Sequence, residues 1–294
     1  MNKVVFYIMN KKGYEVFLSF LNHFDNSQIE YVVLSRDKNL EKDYFNEIKS
    51  LCEENHIKFY MKNDSIPNFW GYKFAVGWRW LISDTNKLII LHDSILPKYR
   101  GFSPLVNMLI NGEDEIGVTA LFASEQYDKG DIILQEKVSI DYPIKIDQAI
   151  MKISKLYSNI VINICKTIFS NGSLVATTQD EDKATYSLWR DEEDYYINWH
   201  LDSSIIKRTI DALSFPFKGA KSLLNGEIVT IVDAEVCEEK RIENRHVGKI
   251  IFLEKDFPVV VCGTGLLKIT EIIDSNNKSI LPLKKFRSRF EGRK

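Results

Sequence analysis

The chain has 294 residues, 45% apolar and 12% aromatic, enough for one large or two smaller packed domains and too much for a disordered chain. Formal net charge is −2, which excludes bulk electrostatic attraction to nucleic acid or anionic membrane. No apolar run approaches the roughly 18 residues a membrane helix needs. The opening run Val4 to Met9 is short, so it reads as a first buried strand in place of a signal peptide, and a cytoplasmic location is expected. Cys52, Cys165, Cys237 and Cys262 have neither CxxC spacing nor nearby histidines, so free thiols in a reducing compartment are expected, with no disulfide framework and no metal site.

In chain order, 4–9 reads as a strand, 14–24 as a helix, 29–35 as a strand and 41–56 as a helix with acids and lysines outside. Residues 57–61, 74–80 and 87–92 are further strands. Continuous apolar runs of this type suit a parallel sheet covered on both faces, and their alternation with helices implies a doubly wound, Rossmann-like sheet. Ser103 and Pro104 suit a helix start over 103–111. Residues 116–123 and 131–140 read as two strands joined by SEQYDKG, and a long helix covers roughly 145–170. The expected division is a domain over 1–175, a polar surface linker over 176–202, and a small β-domain over 203–294. In that last part Asn225-Gly226 marks a hairpin, and several short antiparallel strands suggest a small barrel of the oligonucleotide-binding type.

Ligands of open α/β sheets sit beyond the carboxyl ends of the strands, and His92 closes the apolar run 88–91. The turn that follows, LHDSILPKYRGFSP (91–104), is unusually rich in polar groups. A second acid, Asp128, stands on the YDKG turn, where it suits either turn formation or the orientation of an imidazole. After the first strand, MNKKGYEV has one glycine and no GxGxxG, which argues against a dinucleotide loop; no GxxxxGK[ST] and no GxSxG occur.

The segment HDSILPKYRGFSPLVNMLINGEDEIGVTALFASEQYDKGDIILQ resembles the core of the formyltetrahydrofolate-dependent formyltransferases. The matching positions are His92, Ser94, Leu96, Pro97, Tyr99, Arg100, Gly101, Pro104, Gly112, Gly117, Val118, Thr119, Asp128 and Gly130. The later ATYSLWR, YYINWH and FPFKGA look like the family's linker and second domain. The resemblance implies attack of a primary amine on the formyl carbon of N10-formyltetrahydrofolate as co-substrate, with no metal. It implies that His92 serves proton removal and the tetrahedral intermediate, and that Asp128 orients His92. The family's asparagine two residues before the histidine is Ile90 here. Three readings follow: a binding protein without turnover, an imidazolium His92 serving the oxyanion alone, or another amide, for which Asn107 is the candidate. Gly77, Trp78, Arg79, Tyr127 and Asp131 are the expected co-substrate contacts, and Ser94, Lys98, Arg100 and Gly101 the expected acceptor contacts.

Three acceptors compete. Residues 191–294 hold 17 Lys and Arg against 17 Asp and Glu, a poor surface for methionyl-tRNA. Glycinamide ribonucleotide enzymes normally stop near the end of the first domain. A nucleotide-linked amino sugar needs only a small pocket, so an N-formyltransferase of lipopolysaccharide or related glycan synthesis is expected. Methionyl-tRNA formyltransferase and a catalytically silent folate- or sugar-nucleotide-binding homologue are the alternatives, and RNA binding through the barrel is a third. No membrane partner is expected, and a homodimer is one expectation for assembly.

Overall fold

The computed structural model describes residues 2–293. It divides into two compact units, Met1–Leu105 with Asp114–Ile140 and Gln148–Leu188, and Val106–Glu113 with Asp141–Asp147 and Trp189–Lys294.

The first unit carries β1 (Val4–Ile8), α1 (Asn10–His23), β2 (Ile29–Leu34), α2 (Phe45–Glu54), β3 (Phe59–Met61), β4 (Tyr72–Val76) and β5 (Leu88–His92). Then follow β6 (Arg100–Gly101), α3 (Pro104–Asn111), which from Val106 on belongs to the second unit, β7 (Glu115–Phe122), β8 (Ile132–Ser139), α4 (Ile146–Phe169) and β9 (Tyr186–Ser187). Seven strands form one sheet in the order β3-β2-β1-β4-β5-β7-β8. The first five run parallel, and β7 and β8 are antiparallel additions. Every residue of β1 is buried, which explains its unbroken apolar sequence. Phe6, Phe17, Phe20 and Phe74 interlock, with ring centroids 5.1 Å apart for Phe6–Phe20 and 5.5 Å for Phe6–Phe74. Val5, Tyr7, Tyr31 and Val33 form the core of the opposite face, against Phe69 and Trp78. The chain order reverses between β1 and β4, so the crevice beyond the carboxyl ends of β1, β4 and β5 lies at a topological switch point.

The expected strand over 74–80 is displaced. It begins at Tyr72 and stops at Val76, because Gly77 takes φ +63° and turns the chain out of the sheet. Trp78, Arg79 and Trp80 therefore belong to the loop beyond the strand.

The second unit is built on α5 (Ser203–Ala212), β10 (Ala220–Leu224), β11 (Glu227–Cys237), β12 (Ile250–Glu254), β13 (Phe257–Val261), β14 (Leu266–Ile273) and β15 (Phe290–Glu291). The sheet order is β12-β13-β14-β11-β10-β15, with every pairing antiparallel. Asn225 and Gly226 have φ +53° and +91°, the two positive values of a tight hairpin turn. Phe290 N–H donates to the Gly248 carbonyl at 2.8 Å, and Lys249 bridges to Arg289, so the two outer strands meet and the sheet curls into the expected small barrel. Trp199 is buried against Phe290 of β15, its indole N–H donating to Ser222 Oγ at 3.0 Å. Among the described residues no helix is long and apolar enough to cross a membrane.

Candidate active site

His92 is the last residue of β5 and is 7% exposed. Alternation along the strand places it on the same face as Ile90, and its backbone pairs with Thr119 of β7. The loop after it folds back. Ser94 Oγ donates to the Lys98 carbonyl at 2.7 Å, and Thr119 Oγ1 donates to the Ser94 carbonyl at 2.6 Å. The same Thr119 oxygen accepts from the Leu96 amide at 3.0 Å and from Gln135 Nε2 at 2.8 Å. Tyr99 takes φ +59° and delivers its carbonyl to His92 Nε2 at 2.8 Å. On the other side of the ring, Nδ1 lies 3.5 Å from Asp128 Oδ1. The second oxygen of Asp128 accepts from the Gly101 amide at 2.8 Å.

The chemistry of this arrangement follows from what each oxygen can do. A carbonyl and a carboxylate only accept hydrogen bonds. Nε2 therefore carries a proton toward Tyr99, and in the neutral ring the basic lone pair sits on Nδ1, facing Asp128. Protonated, the ring donates to both. The arrangement leaves one ring nitrogen able to take a proton, with a carboxylate 3.5 Å from it.

A second layer fixes the loop. Arg100 has no exposed surface, and its two terminal nitrogens donate to the Glu181 carboxylate at 2.8 and 2.9 Å. Nε and one terminal nitrogen also reach Gln179 Oε1, at 3.1 and 2.8 Å. Gln179 in turn donates to the carbonyls of Asp128 at 2.7 Å and Gly130 at 2.9 Å. The Arg100 bonds pull the Glu181 carboxyl down to about 2 and raise the guanidinium above its usual range. Thr185 Oγ1 accepts from the Tyr99 amide at 2.8 Å, and β6 pairs in parallel with β9. Segment 176–202, read from sequence as a surface linker, therefore supplies Gln179, Glu181, Thr185 and Ser187 to the site loop. Sequence reasoning missed these residues. The available signal was the buried-loop arginine itself, which requires an acid or amide partner somewhere in the chain.

Behind the strand end, on the face opposite His92, the Asp93 carboxylate is gripped by Lys12 Nζ from α1 and by the Tyr157 hydroxyl from α4. Burial alone would drive the Asp93 carboxyl up; Lys12 and Tyr157 outweigh it and hold the group below the usual carboxylate range. Burial, and then the Asp93 charge, push the Tyr157 phenol well above its own.

The remaining expected residues separate. Ser94 and Arg100 are both fully buried and committed to protein partners, so in this structure they brace the loop; the sequence reading had them holding ligand. Gly101 takes φ +100°, and a Cβ there would lie 2.5 Å from the Ser187 carbonyl oxygen, so the glycine is a requirement of the loop. Lys98, Tyr127 and Asp131 are exposed. Asn107 belongs to the second unit, where its Oδ1 accepts from Arg190 at 2.7 Å. Gly77 sits beside Asn10 at the switch point, and Trp78 Nε1 is a buried donor with no acceptor among the described residues. Arg79 donates to both oxygens of Asp37 at 2.8 Å. A cavity of about 600 Å³ opens beyond β2, β3 and β4, lined by Arg36, Lys38, Lys62, Arg79, Asp37 and Trp80. Among the described residues no cluster of His, Cys, Asp or Glu is placed to hold a metal ion.

Comparison with known proteins bears on the family and the fold. Residues 79–164 match the model of the formyl transferase family, and residues 190–290 match that of the formyl transferase C-terminal domain, together more than half of the sequence. The chain belongs to the formyltransferase family. Similar curated proteins include the methionyl-tRNA formyltransferases of Carboxydothermus hydrogenoformans, 33% identical over 191 residues, and Moorella thermoacetica, 31% identical over 192. Each alignment covers 65% of this chain and 60% of the relative, so the chain spans under two thirds of the length of the curated relatives it matches. Two solved structures share the formyltransferase fold. WlaRD, a sugar 3N-formyl transferase crystallised with dTDP and 5-N-formyl-THF, has TM-score 0.68 and 21% identity, covering 92% of this chain and 97% of that one. An N-formyltransferase from Helicobacter canadensis, in complex with folinic acid and dTDP-3-aminofucose, has TM-score 0.67 and 19% identity, covering 92% and 98%.

Proposed function

We propose that this formyltransferase moves a formyl group from N10-formyltetrahydrofolate to the primary amine of a nucleotide-linked amino sugar. The observation that carries the reading is His92 held between the Tyr99 carbonyl and Asp128 at the end of β5. The attacking amine must lose a proton as its nitrogen bonds to the formyl carbon, and the carbonyl electrons move to oxygen. His92 takes the proton and stands as imidazolium against Asp128, a positive charge close to the developing oxyanion; collapse of the tetrahedral intermediate then breaks the bond from the formyl carbon to N10, and the proton passes to N10 as tetrahydrofolate leaves. This geometry favours the reading in which the imidazolium tolerates Ile90, and so favours turnover over a silent binding protein.

Gly77, Trp78 and Arg79, with Tyr127 and Asp131 from the turn between β7 and β8, are the residues we assign to the folate. A cavity with four cations against one carboxylate suits an anionic folate tail, and the orphan Trp78 indole suits a ligand acceptor reached after side-chain movement. Lys98 and Gly101 remain with the acceptor. The sugar-acting neighbours with matching length support the amino-sugar acceptor. The methionyl-tRNA relatives favour tRNA as the second reading, against which stands the balanced charge of residues 191–294. The test is formyl transfer to a panel of nucleotide-linked amino sugars and to initiator methionyl-tRNA, with His92→Asn as control. Product with an amino sugar, lost in the variant, supports the proposal; product with tRNA alone overturns the acceptor.

A further inference from the structure

Asp93 follows the catalytic candidate directly, yet its side chain leaves by the other face of the sheet. Three elements converge there. Lys12 reaches from the first turn of α1, Tyr157 rises from α4, and Asp93 caps β5. Tyr157 also donates to the Leu91 carbonyl at 3.1 Å, so one phenol holds both the backbone before His92 and the carboxylate after it. The Lys12 ammonium lies 5.6 Å from the centre of the Tyr157 ring. The ion pair is largely shielded, with 14% side-chain exposure on each partner.

We propose that Lys12 and Asp93 form a charge-balanced positioning pair, anchored by Tyr157, that sets the proton affinity of His92 from behind the strand. Two carboxylates stand near this imidazole, Asp128 on the ring side and Asp93 on the rear. If both acted with full charge, the imidazolium would be held too firmly to release its proton in the next turnover. Lys12 cancels the rear charge, leaving Asp128 as the anion that His92 senses. Lys12 and Tyr157 contact the Asp93 carboxylate, and Asp128 and the neutral Tyr99 carbonyl flank the His92 ring; His92 and Asp93 adjoin in sequence and act on each other by charge across the strand end. The start of α1 lacks a phosphate-binding glycine pattern, and its Lys12 gains a role in this arrangement.

The inference rests on His92 as the working group, and its test is independent of turnover. The measurement is the NMR titration of the His92 ring protons, assigned with His92→Asn, in the full chain. Lys12→Met leaves Asp93 unbalanced and moves the titration to higher pH. Asp93→Asn leaves Lys12 unbalanced and moves it to lower pH. The double variant returns toward the parent, and Lys12→Arg, which keeps the charge, stays with the parent. A pair that merely stabilises the fold would lower the melting temperature in both single variants and leave the titration in place. Shifts in the same direction, or none in either variant, overturn the proposal. Opposite shifts without formyl transfer retain the pair and reject the proposed reaction; turnover without the shifts does the reverse.

Discussion

Arg100 and Glu181 stand 81 residues apart in sequence and meet through two parallel hydrogen bonds of 2.9 and 2.8 Å. The pair locks the His92 loop to the segment beyond α4, and Gln179 extends the lock to Asp128. The loop proposed to carry the chemistry is therefore held by residues from a part of the chain that looks like a linker.

Replacing Arg100 by Met strands the buried Gln179 oxygen, at about 1–3 kcal/mol, and frees the His92 loop. Chemical denaturation is expected to show the loss, with a fall in turnover. Unchanged stability would remove Arg100 from its bracing role.

The same pair makes a pH prediction. Glu181 is held near 2, below its ordinary 4.5, so its ion pair contributes fully above the ordinary value and is lost as pH falls toward 2. The difference in melting temperature between the parent and Glu181→Gln is expected to be constant from pH 6 to 8 and to shrink below about pH 4.5. A difference that grew on acidification would contradict the assignment.

Gly101→Ala adds a Cβ 2.5 Å from the Ser187 carbonyl oxygen at a residue with φ +100°. Steric strain of about 1–3 kcal/mol is expected, together with separation of β6 from β9 and loss of the Gly101–Asp128 bond. Amide exchange at Gly101 and Phe102 reads the separation directly; retained protection would argue against it.

Asp128→Asn keeps an acceptor for the Gly101 amide but removes the charge beside His92. The expected result is a fall in kcat on the order of a hundredfold, with KM and melting temperature little changed. A variant with parental kcat would detach Asp128 from the chemistry.

The sheet was legible because β1, β2 and β5 are nearly continuous apolar runs, and burial on both faces demands such runs. His92 and Asp128 were legible from their place at a strand end and on a turn, together with the resemblance of their surroundings. The end of β4 was misplaced because Phe74 to Trp80 is apolar apart from Gly77 and Arg79, and the backbone turn at Gly77 ends the strand. Glu181 and Gln179 were hidden because their partner is distant in sequence and their own neighbourhood is polar. Arg100 was read as a ligand contact for the same reason: an arginine in a functional loop looks free until its acid is found. Lys12 escaped notice because its lone glycine neighbour argued only against phosphate binding, and its partner Asp93 lies 81 residues on.

In the proposed reaction His92, held by Tyr99 and Asp128, accepts the amine proton during formyl transfer in the presence of Ile90. The most direct measurement is the release of tetrahydrofolate from N10-formyltetrahydrofolate in the presence of nucleotide-linked amino sugars, for the parent and for His92→Asn. Turnover with one sugar, reduced by a factor of about 10² or more in the variant, is the predicted result. Tight folate binding with no turnover on any amino sugar or on initiator methionyl-tRNA would contradict the claim.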